Sequence, residues 1–226
     1  MFQGFSQSAV DFLWGIRFNN ERSWFEEHKQ EYLELLAAPM KELAFQTQAA
    51  MQEKFPDLQL QVRVSRIYRD ARRLHGRGPY KDHLWFVLQR PKDESMGTVP
   101  CFYFEIAPER YSIGMGYYSA TPLTMAKFRA RIDREPAPME KLARRLKRQH
   151  NFVLEGREYA RAKGDPGALL APWYNRRSVA LTWDRNCEGS LFAPELADEI
   201  VESFVFLEPY FRYFDSLDGD MTPGEA

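Results

Sequence analysis

Residues 63 to 83 read RVSRIYRDARRLHGRGPYKDH. Arg63, Arg66, Arg69, Arg72, Arg73, Arg77 and Lys81 crowd into this stretch, and Asp70 is the only acid between Arg63 and Lys81. Guanidinium forks suit bidentate recognition of phosphate and carboxylate groups. Upstream, Leu58, Leu60, Val62 and Val64 alternate with Gln59, Gln61, Arg63 and Ser65. That period of two predicts a strand with the apolar set inward, and the same parity carries Arg66 inward. A buried guanidinium is costly unless it is paired. One acid cannot neutralise several arginines. Either carboxylates arrive from elsewhere in the chain and the motif is a structural ion-pair network, or an anionic ligand completes a site.

Four functions fit this pattern. The first is a binding protein for a small anion (phosphate, nucleotide or carboxylate) held by Arg66, Arg69, Arg72, Tyr80 and Lys81. The second is an enzyme at the same place, a hydrolase or transferase for a phosphorylated or anionic substrate. Asp70 is then the candidate catalytic residue, as a general base or as the group that orients one. The third is weak nucleic-acid binding through this stretch and the later basic runs KFRARIDR and KLARRLKRQH, with Tyr68, Tyr80 and Trp85 as stacking platforms. The fourth is purely structural. For the cations to meet, the chain must turn after Tyr68. Asp70 favours such a turn, and Gly76, Gly78 and Pro79 let the loop double back to Lys81.

Other chemistry lacks its signature. His28, His75, His83 and His150 are scattered, with no HExxH and no CxxC, so no metal site and no cofactor are expected. There is no GxSxG nucleophile elbow, and HGRGPYK lacks the phosphate-loop spacing. The GMG at 114–116 reads as close backbone packing inside a strand. The net charge of −1 argues against a dedicated polyanion binder. The two cysteines, Cys101 and Cys187, read as free thiols in a reducing cytosol, so a cytoplasmic location is expected. No apolar run reaches the roughly 18 residues of a membrane span, and no membrane partner is expected.

The elements that carry the motif follow from periodicity. Helices are expected over residues 7–54. Asn19 and Asn20 fall between two helical patterns, the first as a stop and the second as an N-cap. Trp24 and Phe25 should pack on core elements, and Pro39 kinks or restarts the second helix. Strands follow at 58–65, 83–90, 99–108 and 110–118. Their short connections predict an antiparallel meander within 58–118. Thr121-Pro122 caps a helix, a second helix follows it, a further strand is expected near 177–183, and a last helix starts near Pro194. Its stripe is Leu196, Ile200, Phe204, Leu207, Phe211 and Phe214. The fold class is α+β: an antiparallel sheet packed against N-terminal, middle and C-terminal helices. Residues 1–217 read as one domain and 218–226 as a frayed polar tail.

The chain resembles a family of uncharacterised bacterial and fungal proteins catalogued as domain of unknown function 2461. The resemblance covers residues 3 to 215. One motif is carried by Phe12, Leu13, Asn19, Asn20, Trp24, Phe25 and Tyr32. A second, R-I-x-R-D-x-R running to P-Y-K, is carried by Arg66, Ile67, Arg69, Asp70, Arg72, Pro79, Tyr80 and Lys81. A third is carried by Gly116, Tyr118, Arg129 and Ile132. The sequence departs from the family pattern at Arg73 and at LHGRG. The resemblance implies an α+β fold and supplies no activity.

Overall fold

The computed structural model describes residues 1–70, 72, 78–91 and 98–224. Helix α1 (Gln7–Phe18) opens on Ser6, whose hydroxyl accepts from Ala9 N at 3.2 Å. It closes at Asn19, whose N–H returns to Gly15 O. Then come α2 (Arg22–Glu27), α3 (Lys29–Tyr32), a π-turn over Leu33–Ala37 and α4 (Ala38–Lys54). The expected break at Pro39 takes this form. Proline has no N–H for the Leu35 carbonyl, and its ring crowds that oxygen. The preceding turn widens, and Ala38 N–H bonds Leu33 O five residues back. Met40, Leu43, Thr47 and Met51 are fully buried along α4, which packs on β1 and β2.

The described strands are β1 (Gln61–Val64), β2 (Leu84–Gln89), β3 (Cys101–Ile106), β4 (Arg110–Gly116), β5 (Val153–Glu155) and β6 (Ala180–Asn186). They form one antiparallel sheet in the order β1-β2-β3-β4-β6-β5. The meander and the α+β class are as expected. Two strands have bounds of their own and one strand was not expected. The first strand begins at Gln61, because Pro56–Leu58 is a 3₁₀ turn that ends on left-handed Gln59, φ +50°. The strand β5 carried no alternation to reveal it. The strand expected near 177–183 runs from Ala180 to Asn186.

The chain divides into two compact units. One comprises Met1–Pro91, Tyr103–Ile113 and Asp184–Ser203; the other comprises 98–102, Gly114–Trp183 and 204–224. In the first, the core face of the sheet is marked by ring contacts: Phe86 lies 5.7 Å from Phe104, and Phe104 lies 6.1 Å from Tyr111. In the second, Phe102 stacks on Phe211 at 4.6 Å and on Phe204 at 5.0 Å. A short helix α7 (Ala171–Tyr174) precedes β6, and helix α8 (Leu196–Asp215) buries its whole expected stripe. Helix α5 (Pro122–Arg134) opens on Thr121, whose hydroxyl accepts from Thr124 N at 3.0 Å. Gly116 has φ +155°, and a Cβ there would overlap the Val179 carbonyl.

The second basic run is engaged inside its own unit. In α6 (Pro136–Lys147), Arg144 pairs with Glu140 at 2.7 Å, and the Arg145 guanidinium lies 4.6 Å over the Phe206 ring. Arg131 donates to Asp220 at 2.6 Å, and Lys127 donates to the Asp218 carbonyl at 3.0 Å. Residues just past Leu217 are therefore tied to α5.

Candidate functional site

Strand β1 pairs with β2 in the register Gln61↔Gln89 through Val64↔Phe86. Continued, that register would turn Arg66 toward the core. The structure corrects this: Arg66 is exposed, and Ile67 is 1% exposed in its place. Ser65 is the cause. Its N–H donates to Trp85 O at 2.8 Å, but the return bond from Trp85 N goes to the Ser65 hydroxyl at 3.0 Å. With its own carbonyl released from the ladder, the chain rotates. An isoleucine goes inward, and the desolvation cost of a buried guanidinium is avoided.

The chain then closes on itself. Tyr68 bridges Tyr80, Arg69 N donates to Pro79 O at 2.8 Å, and Lys81 N donates to Ile67 O at 2.8 Å. This neck returns Lys81 beside residues 66–67, as the spacing predicted. The expected roles of Arg73, Gly76 and Arg77 fall outside the described residues.

Asn20 locks the neck to the helices. Its amide donates to Tyr80 O at 3.0 Å and accepts from Tyr80 N at 3.0 Å. The expectation that Asn20 caps α2 is therefore wrong. The cap position is Glu21, with no side-chain bond. A carboxamide carries both a donor and an acceptor, so it matches both polar groups of one peptide. Two bonds to a buried residue outweigh one at an exposed helix end. Gly78 is required at this approach, because a Cβ there would overlap Asn20 Oδ1. The Tyr80 ring stacks on Phe25 at 4.2 Å. Phe25 is 1% exposed, and Trp24 packs on Gly15 and on the Phe12 ring at 5.5 Å. Asn20→Ala is expected to cost about 1–3 kcal/mol, since it leaves the Tyr80 N–H unpaired. Thermal melting of the variant measures it, and an unchanged midpoint would remove the clamp from this account.

The cations sort into two sets. Arg72 stands apart. Its Nε and Nη2 fork onto Asp70 at 3.0 and 2.8 Å, with 88% of its side chain exposed. Asp70 thus orients an arginine, and both its oxygens are engaged in doing so. Arg66, Arg69 and Lys81 do come together. Burial, then Arg69, then Arg66 push the part-buried Lys81 ammonium below its ordinary pKa; Glu105 opposes them weakly. The ammonium lies 5.5 Å over the Trp85 ring. Among the described residues, no carboxylate forms an ion pair with Lys81 or Arg66.

The carboxylate next in the chain is engaged elsewhere. Asp82 accepts from Arg17 Nε at 2.7 Å, lies 3.5 Å from Arg69 Nη2, and meets His83 Nδ1 at 3.1 Å. Burial works against its charge, but the bonds from Arg17 and His83 prevail and hold it below the usual carboxylate range. Arg17 also bonds Glu109, and Arg69 Nε donates to Tyr80 O at 2.7 Å. Sequence reasoning missed Arg17, Asp82 and Glu109. Only Asp82, two residues past Tyr80, lay within sight of the motif.

Glu105 was missed as well. On β3, Phe102, Phe104 and Ile106 face the core, so Tyr103 and Glu105 face the other way. By the same parity Trp85 and Val87 of β2 and Arg110 and Ser112 of β4 share that face. Asp184 joins them, accepting from Ser112 Oγ at 2.5 Å and from Arg110 Nε at 3.2 Å. Burial pushes the part-buried Glu105 carboxyl up, against the pull of His83 and Arg110 and with help from Asp184 and Asp82. Its carboxylate makes no hydrogen bond or ion pair among the described residues. The signal for it was a lone acid in the apolar strand CFYFEI.

Neither thiol is primed for attack. Burial pushes Cys101 up to about 12, and burial with Glu109 pushes Cys187 up to about 11. Among the described residues, no group of histidine, cysteine and acidic side chains is arranged to hold a metal ion. The described face is therefore an α+β sheet surface where unpaired cations meet a lone carboxyl. The chain belongs to the family of conserved hypothetical proteins catalogued as domain of unknown function 2461, whose model matches residues 8–213. No curated protein matches the chain at a significant level.

Proposed function

We propose that this protein binds a small anionic ligand (a phosphate, nucleotide or carboxylate) at Lys81 and Arg66, with Arg69 beside them. One observation carries the reading. Asp82, next to Lys81 in the chain, is spent on Arg17, Arg69 and His83, while Lys81 and Arg66 form no ion pair with a carboxylate among the described residues. Crowded like charges are unfavourable until an anion joins them, and an arginine fork accepts two oxygens at once. Tyr80 supports the site through its backbone, which Asn20 and Arg69 hold, and its ring packs on Phe25. Arg72, an expected ligand contact, is bound to Asp70 and is left out of this site. A cytosolic setting is proposed with it, from the two free thiols. No described helix is long and apolar enough to cross a membrane.

Calorimetric titration with phosphate, nucleotides and dicarboxylates tests the reading. Wild type and Arg72→Ala are expected to bind the same anion with similar affinity, and Lys81→Met to lose it. Failure of every anion to bind wild type, or loss of binding in Arg72→Ala alone, would overturn it.

A further inference from the structure

We propose a second ligand site, in the second unit, where Arg129, Tyr159 and Lys163 hold a phosphate group, free or carried as a small monoester. Arg129 stands in the third sequence motif, on α5, one turn before the buried Ile132. Its neighbours come from a loop that is pinned at several points. After β5, Glu158 bridges Arg176, and Tyr159 N donates to Asn175 O at 2.9 Å. The Asn175 side chain clamps the same loop. Its Oδ1 accepts from Lys163 N at 2.6 Å, and its Nδ2 donates to Gly164 O at 3.1 Å. Gly164 lies so close to Tyr174 that a Cβ there would meet the ring at 2.8 Å. Tyr174 in turn donates to Asp133 Oδ2 at 2.9 Å, and Asp133 is one turn beyond Arg129 on α5. Helix α7 packs on α5, so the helix face that carries Arg129 meets both α7 and the loop.

One ring gathers two cations there. Arg129 Cζ lies 5.3 Å from the centre of the Tyr159 ring, and Lys163 Nζ lies 4.8 Å from the same centre. An aromatic ring satisfies the face of a guanidinium but not its in-plane N–H groups. Among the described residues those N–H groups donate to nothing, and neither cation forms an ion pair with a carboxylate. The Nη1 end is buried, while the Nε–Nη2 edge stays open. That is the edge with which Arg72 forks onto Asp70. The acids nearby are engaged: Asp133 accepts from Tyr174, Glu158 pairs with Arg176 at 3.6 Å, and Asp165 accepts from Gly167 N at 3.1 Å. Two like charges held at one ring favour an anion that joins them. Their number selects its class. A phosphate monoester carries about −1.5 to −2 charges at pH 7 and three terminal oxygens. Two oxygens suit the Nε–Nη2 edge and the third suits the Lys163 ammonium. A carboxylate has one charge and two oxygens, and leaves the ammonium unmatched.

A site-resolved titration of the full chain tests this. Isotope-labelled protein is titrated with inorganic phosphate, phenyl phosphate and acetate while backbone amide shifts are followed by NMR. Saturating shifts with the two phosphates are expected at Tyr159, Lys163 and Gly164. These amides are read separately from those around Lys81, so shifts near Lys81 alone would overturn this proposal and leave the first site standing. Equal affinity for the two phosphates supports the free ion as the source, and preference for phenyl phosphate supports a monoester. Acetate should bind at the loop about ten-fold more weakly or worse. Arg129→Lys keeps the charge without the fork. It and Lys163→Gln should each weaken phosphate binding by about ten-fold or more, the effect of one lost charge-assisted bond. Lys163→Arg should retain it. Lys163→Gln alters an exposed side chain, so it reports on binding even where Arg129→Lys fails to fold. No saturating shift at the loop, equal affinity in wild type and Lys163→Gln, or acetate binding as tightly as phosphate would each overturn the proposal.

Discussion

Asp82→Ala is expected to destabilise the protein by about 3 kcal/mol, the low end for removing one partner of a buried ion pair. The part-buried Arg17 and Arg69 guanidinium groups lose their shared acceptor, and His83 loses its own. Because Asp82 is held below its ordinary pKa, its contribution is fully present above the unfolded value, about 3.9. It is lost as pH falls through the folded value. Glu109, bonded by Arg17, is shifted in the same direction. Melting temperature measured across pH should therefore fall steeply below about pH 4 in wild type. Asp82→Asn keeps the shape without the charge and should show a flatter acid limb. An Asp82→Asn profile parallel to wild type would remove Asp82 from this account.

The fold was legible where side-chain period decides burial. The apolar stripe of α8, the Thr121 cap and the consecutive strands of the meander all stand where periodicity put them. It was not legible where a side chain took over a backbone role. Ser65 replaces its own carbonyl with its hydroxyl in the last rung of the ladder, and everything after it changes face. Strand β6 runs on past Trp183 because Asp184 finds Ser112 and Arg110 and Arg185 finds Glu199. Those partners lie far away in the chain, so the polar residues looked like the end of a strand. Asn20 shows the same limit. Its position between two helices suggested a cap, while its actual partner is sixty residues on, at Tyr80. The candidate site was half visible for this reason. The cations cluster locally and announce themselves. The acids that pair with Arg17 and Arg69 are Asp82, just before β2, and Glu109, in the turn between β3 and β4.

The unpaired groups lead to a prediction of opposite sign. Glu105→Gln and Lys81→Met are each expected to raise the melting temperature at pH 7, by about 2–4 °C for every kcal/mol of relief in a chain of this size. Burial is the largest influence on both residues, and in each it penalises the charged form. For Glu105 the folded pKa lies above the unfolded one. Its stabilising contribution is present below about pH 4.3 and is lost as pH rises through the folded value. For Lys81 the folded pKa lies below the unfolded one. The charged ammonium weakens the fold at neutral pH, and stability returns as pH rises toward about 10.4. Each change also removes the Lys81–Glu105 attraction, but that is the smallest of the four influences on Lys81. The gain from Lys81→Met should shrink at high pH, and the gain from Glu105→Gln should vanish near pH 4. A structural ion-pair network predicts the reverse, because removing either charge would leave its partner uncompensated. Thermal melts of the two variants at pH 4, 7 and 10 separate the alternatives: a loss of stability at pH 7 in both would mark the motif as structural, and a gain in both would mark strain kept for a ligand.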